Sequence, residues 1–145
     1  MPTTRRTRII AAPPEDVWRV VGDPHHLPRW WPRVRRVESV DSQSFTMVLL
    51  TEKGKPVRAD QRLLHSERPR HRAWRQELED SPFERLMDEA VTEIVLVEAG
   101  SATDVSIELR QKLRGMARFG GFLVRRANRR LLDEALDGLE HACGR

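Results

Sequence analysis

The chain of 145 residues carries a single cysteine, Cys143, two residues from its end. One thiol cannot form an internal disulfide, and no cysteine-based zinc site can be assembled within one chain. That usage fits a reducing compartment, so a cytoplasmic location is expected. Long apolar runs are missing too. No window approaches the roughly 18 uninterrupted apolar residues of a membrane span. The opening MPTTRRTRII has no apolar run of signal-peptide length. Lysine is scarce, limited to Lys53, Lys55 and Lys112, so the net charge of +4 rests on arginines. These are dispersed and interleaved with acids, the pattern of a solvated surface rather than of a nucleic-acid stripe. No specific nucleic-acid partner is expected. No His-x-x-x-His or Glu-x-x-His pair stands out, the GGF at 120–122 lacks the setting of a phosphate loop, and DSPF at 80–83 reads as a turn rather than a nucleophile elbow. No metal and no cofactor are expected.

What is present describes a globular chain. Hydrophobic residues make up 39% and charged residues 33%. The length suits one domain over residues 1–145 with a core that needs no staples. TTRRTRIIA at 3–11 reads as an edge strand blunted by its arginines. In APPEDVWRVVGD, Pro14 suits a first helical turn and Glu15 and Asp16 its positive end. Val17, Trp18, Val20 and Val21 share one face, and Gly22-Asp23-Pro24 ends the helix after about two turns. From Arg35 to Leu113 six strand candidates alternate with turns, close enough for neighbours to pair antiparallel. The last alternates cleanly, with Val105, Ile107 and Leu109 on one face and Ser106, Glu108 and Arg110 on the other. From Gly115 to Cys143 there is no proline. Val124, Ala127, Leu131, Ala135, Leu139 and Ala142 recur at steps of three and four, widened by Phe119, Phe122, Leu123, Leu132 and Leu136. The spacing predicts a long amphipathic helix covering the sheet. A strongly bent sheet around one helix leaves a gap at one end, where the short helices would sit.

HHLPRWWPRV at 25–34 sets two adjacent tryptophans between Pro28 and Pro32, in a chain with only four. The prolines forbid a long helix there and make a rigid aromatic elbow. Adjacent residues on a helical turn point about 100° apart, so Trp30 and Trp31 are expected to face different ways, one into the core and one toward an opening.

IIAAPPEDVWRVVGDPHHLPRWWPRVRRVE resembles the start of the START-like (SRPBCC, helix-grip) superfamily, through Ala12, Pro13, Pro14, Glu15, Val17, Trp18, Asp23, Pro28, Trp30, Pro32 and Val34. The tail LRGMARFGGFLVRRANRRLLDEALDGLEHA is similar to the C-terminal helix of its polyketide cyclase/dehydrase-like branch. The resemblance implies an α+β helix-grip fold: a seven-stranded curved antiparallel sheet with two short N-terminal helices and a long C-terminal helix around a cavity. It implies that the protein binds a small hydrophobic or amphipathic molecule, lipid- or polyketide-like, with the tryptophan elbow at the cavity mouth. A homodimer is one assembly it leaves open. The alternatives are a polyketide cyclase, aromatase or dehydratase-type enzyme, and an arginine-rich module binding RNA or an acidic protein.

Candidate ligand-binding residues are Trp30, Trp31, Trp74, Gln76, Met87, Phe119, Phe122 and Leu123. Gln76 alternates with Trp74 and puts a polar group on a face expected to point inward. Met47, Met87 and Met116 are candidates to soften a pocket. Trp18 is expected in the plain core. Proton-transfer candidates are thin: Asp60, Glu77 and Asp88 lie in strands, where carboxylates usually face water, and His65 ends a strand. His65, Asp60 and Glu77 are the first residues to consider if a reaction is catalysed. Arg72, His65 or Gln76 could supply a polar group over a folded substrate.

Overall fold

The computed structural model describes residues 3–115 and 120–144. Strand β1 (Thr3–Ile10) leads into α1 (Pro14–Val21), a single 3-10 turn at Pro24–His26, and the four-residue helix α2 (Leu27–Trp30). Six strands then follow as a meander: β2 (Val34–Glu38), β3 (Ser44–Leu50), β4 (Pro56–Glu67), β5 (His71–Gln76), β6 (Met87–Ala99) and β7 (Ala102–Leu113). Helix α3 (Gly121–Ala142) ends the chain. The seven strands form one antiparallel sheet in the order β1-β7-β6-β5-β4-β3-β2, so the first strand pairs with the last.

Local chemistry explains most boundaries. Pro14 at the first turn, with Glu15 and Asp16 beside it, starts α1, and Val17, Trp18, Val20 and Val21 bury its apolar side. The Asp23 side chain accepts from the His25 amide at 3.0 Å and opens the 3-10 turn. Asp41 accepts from the amides of Gln43 and Ser44 at 2.7 and 2.8 Å, which fixes the turn before β3. The long β6–β7 hairpin closes from the Ala99–Ala102 pair through Gly100, whose φ of 65° suits glycine. Register shifts at Val34/Arg36, Leu63/His65 and Met87/Glu89 break the ladders as bulges, and bulges bend a sheet.

The concave face can be read across the register. Leu63 lies beside Trp74, Trp74 beside Thr92, Thr92 beside Leu109 and Leu109 beside Thr4. Against it α3 buries Leu132, Ala135, Leu136 and Leu139. These residues join Val17, Trp18, Trp30, Ile94, Leu96, Val105 and Ile107 in one hydrophobic core. The arginines of β1 do more than blunt an edge. Arg6 grips Asp133 of α3 through Nε and Nη2 at 2.8 and 3.0 Å, and Arg8 pairs with Asp137 and Glu140. Paired charges thus line the seam between the helix and the edge strand.

The first turns of α3 depart from the continuous buried stripe expected of the tail: Phe122 is 69% and Leu123 66% exposed, and Ala127 is exposed too. The fully buried residues of the helix begin at Leu132.

Candidate functional site

Between the sheet and α3 lies an internal chamber of about 120 Å³. Its aromatic wall is Trp31 and Trp74, with ring centroids 6.0 Å apart and planes at 67°. Phe45 packs edge-on behind Trp74 at 5.6 Å. Met47, Leu49, Leu109 and Leu131 supply more apolar wall. The rest of the lining is largely amide and hydroxyl: Gln61, Gln76, Thr92, Gln111 and Asn128. Among the described residues no ionisable side chain lines this chamber.

Beside the chamber lies a largely apolar vestibule of about 380 Å³, framed by the β3–β4 connection, the Pro82–Leu86 turn and Leu131. Trp31, Leu49 and Leu131 line both spaces. Beyond Leu131 and Asn128, on the outer side of α3, runs an open charged groove with Arg33, Glu52, Arg126, Arg130 and Glu134.

The elbow parts its two tryptophans. Trp30 ends α2, and its backbone presses on α3 at Gly138: a Cβ there would come within 2.5 Å of the Trp30 carbonyl oxygen. Trp31 follows in an extended conformation (φ −86°, ψ 127°), which turns its ring to the chamber edge-on to Trp30. Both rings are nonetheless buried. The Trp30 indole nitrogen is sealed from solvent without a hydrogen-bond partner.

The other sequence candidates scatter. Trp74 and Gln76 reach the chamber. Met47, a candidate to soften a pocket, does so as well, while Met87 is half-buried at the start of β6 and lies outside its lining. Phe122 and Leu123 face outward, because the α3 turns that carry them run beyond the buried part of the helix. Phe119 and Met116 lie outside the described residues. Arg72 sits on the concave side of β5 but toward its other end; it is 7% exposed and donates to Ser66 Oγ at 3.0 Å. Burial pulls its guanidinium below the usual value, partly offset by Asp23.

The proton-transfer candidates all turn outward. Asp60 accepts from Thr46 Oγ1 at 2.6 Å, Glu77 from Arg62 Nε at 2.8 Å, and His65 stands 3.6 Å from Glu67. The strand alternation that puts Ala59, Gln61 and Leu63 inward sends Arg58, Asp60 and Arg62 to the convex face. On that face His65 lies beside His71, with ring centroids 4.5 Å apart and planes tilted by 43°, and His71 meets Glu93. Hydrogen bonding from Arg110 holds the Glu93 carboxyl below the usual range against the opposing effect of burial, helped by His71. Cys143 packs beside the core, and burial lifts its thiol to about 11, which removes it as a nucleophile at neutral pH. Among the described residues no three His, Cys, Asp or Glu side chains converge as metal ligands would, and no helix is long and apolar enough to cross a membrane.

Sequence reasoning singled out Gln76 but passed over Gln61, Gln111 and Asn128. The signal was present: Gln111 continues the inward series Val105, Ile107, Leu109, and Gln61 interrupts Ala59 and Leu63. A neutral amide at an otherwise apolar beat marks an inward polar group.

Known proteins share this fold. The family model described as polyketide cyclase / dehydrase and lipid transport matches residues 1–144. No curated protein matches the chain. A solved protein from Thermus thermophilus is 24% identical, with 98% of this chain and 97% of that one covered and a TM-score of 0.77. A START superfamily protein from Mycobacterium smegmatis is 13% identical, with 97% and 96% covered and a TM-score of 0.80. The Zhui aromatase/cyclase from Streptomyces sp. R1128 is 17% identical, with 97% and 92% covered and a TM-score of 0.74. At these identities the likeness is one of fold.

Proposed function

The chain belongs to the polyketide cyclase / dehydrase and lipid transport family, and from that premise we propose that it binds a small hydrophobic or amphipathic molecule between its sheet and α3. The observation that carries this reading is the adjacency of the two spaces, which share Trp31, Leu49 and Leu131 as walls. An apolar vestibule adjoins a smaller aromatic and polar chamber, the usual make-up of a small-molecule site. Enclosure supplies the affinity, because apolar surface leaves water, and the amides set orientation.

A cyclase or dehydratase would need a group that gives or takes a proton within hydrogen-bond reach of the ligand. The chamber offers amides and the Thr92 hydroxyl, while Asp60, Glu77 and His65 are on the other face of the sheet or at its rim. That distribution favours binding over turnover.

The test is a titration of intrinsic tryptophan fluorescence with neutral aromatics and flavonoids, beside native mass spectrometry of the freshly purified protein. Saturable quenching at micromolar concentration is expected, with every compound recovered unaltered. Leu131→Trp, which fills the wall shared by both spaces, should weaken the response at least tenfold. Absence of saturable quenching by every compound, with no co-purified mass, would overturn the reading.

A further inference from the structure

The chamber wall is short of hydrogen-bond acceptors at one place. Gln61 on β4 and Gln76 on β5 are direct cross-strand partners, and both line the chamber. Side chains at such positions on one face stand about 5 Å apart at Cβ. Gln61 is 5% exposed, and its amide nitrogen meets only the Met47 sulfur, at 3.9 Å. A thioether is a weak acceptor. The Gln76 amide nitrogen is sealed from solvent and donates to no protein atom. Asn128 differs, since its Nδ2 donates to Gln111 Oε1 at 2.8 Å. Two neighbouring carboxamides are therefore left with donors to spare, side by side, facing one internal space.

Buried polar groups in folded proteins are nearly always hydrogen-bonded, so an unmatched pair facing a chamber marks where a ligand completes the set. The missing partner is an acceptor. It is uncharged, because no cationic side chain among the described residues lines the chamber and an ionised carboxylate buried without one is heavily penalised. It is small, because about 120 Å³ falls below the ~150 Å³ cavity that accommodates benzene.

We propose that the chamber takes a neutral carbonyl head group, of an amide, lactam or ketone, whose oxygen accepts from Gln61 and Gln76 while the apolar remainder of the molecule occupies the vestibule beside Leu49, Phe83 and Leu131. This rests on the binding reading above and deepens it from a hydrophobic ligand to a neutral, carbonyl-headed one. Free fatty acids, which bring a carboxylate to the same place, are excluded as good ligands.

Three probes of one shape test it by isothermal titration calorimetry at neutral pH: 4-butylbenzamide, 4-butylbenzoate and butylbenzene. The amide should bind at least tenfold more tightly than either of the others. Gln61→Leu and Gln76→Leu, which keep roughly the side-chain volume, should each bring the amide toward the affinity of butylbenzene. The comparison among probes on the unaltered protein needs no variant to fold. Equal or tighter binding of the benzoate or of butylbenzene to that protein overturns the carbonyl assignment and leaves the cavity reading standing. Retention of the amide preference in both variants overturns it likewise. Failure of all three probes to bind overturns both readings together.

Discussion

The Gln76 amide nitrogen is sealed from solvent and no protein group accepts from it; an interior donor left without an acceptor costs roughly 1–3 kcal/mol. Replacing Gln76 by an apolar residue of similar size removes that cost. Gln76→Leu is expected to raise the stability of the ligand-free protein by about 1 kcal/mol in urea titrations, at the expense of ligand selectivity. An unchanged or lower midpoint would mean that ordered water already completes the amide. Gly138 makes the opposite case. Alanine in a helix interior normally gains nearly 1 kcal/mol over glycine. Here the added Cβ would meet Trp30 backbone atoms at 2.5 and 2.8 Å, which no side-chain rotation can relieve. Gly138→Ala is therefore expected to destabilise by roughly 1–3 kcal/mol. A gain would show that α2 and α3 separate at little cost.

The two halves of α3 are chemically alike in sequence and different in position. Leu132, Leu136 and Leu139 are fully enclosed, whereas Phe122 and Leu123 stand in solvent. The roll of the helix follows the burial of Leu132, Ala135, Leu136 and Leu139, which sets Asp133 and Asp137 beside Arg6 and Arg8 and leaves Leu131 half-buried at the vestibule. Leu136→Ala should cost about 2–5 kcal/mol in denaturant midpoint terms. Leu123→Ala should stay within about 0.5 kcal/mol, as surface changes do. Equal costs at the two sites would contradict the placement of the first turns. The 3.6-residue repeat in the sequence identified the helix and most of its apolar residues. It could not say where the sheet beneath stops, because a stripe shows only which way a helix would face a partner.

Across the whole molecule the convex face is held by charge pairs rather than by apolar cover. Arg110 joins Glu93 to Glu108, and Arg58 and Arg36 both pair with Glu38. Several carboxyls lie below their usual values: Glu93 chiefly through the hydrogen bond from Arg110, Glu67 through that from Arg70, and Asp41 through the Gln43 amide. A carboxyl depressed in the folded state binds fewer protons there than in the unfolded chain. Its stabilisation is complete above the ordinary carboxylate range, about pH 4–5, and is lost as pH falls through the folded value. Thermal midpoints should be nearly flat from pH 7 to about 5 and fall steeply below about 4. Glu93→Gln should make that fall shallower, and an unaltered slope would show that the Glu93 cluster contributes nothing to acid sensitivity.

The elements and their class were legible along the chain. Alternation in VSIELRQKL, proline and glycine at the turns and the apolar repeat of the tail need only neighbours in sequence, because backbone geometry ties side-chain direction to residue spacing. The APPEDVW and PRWWP segments carried the family resemblance for the same reason: they encode a local helix start and a rigid elbow. The make-up of the chamber was settled by long-range packing instead. Gln61 and Gln76 become a pair through the β4–β5 register, Asn128 meets Gln111 across seventeen residues, and Trp31 meets Trp74 because α2 folds back over the sheet. Strand register and helix placement are set by the packing of the whole core, and no short window of sequence contains both sides of such a contact.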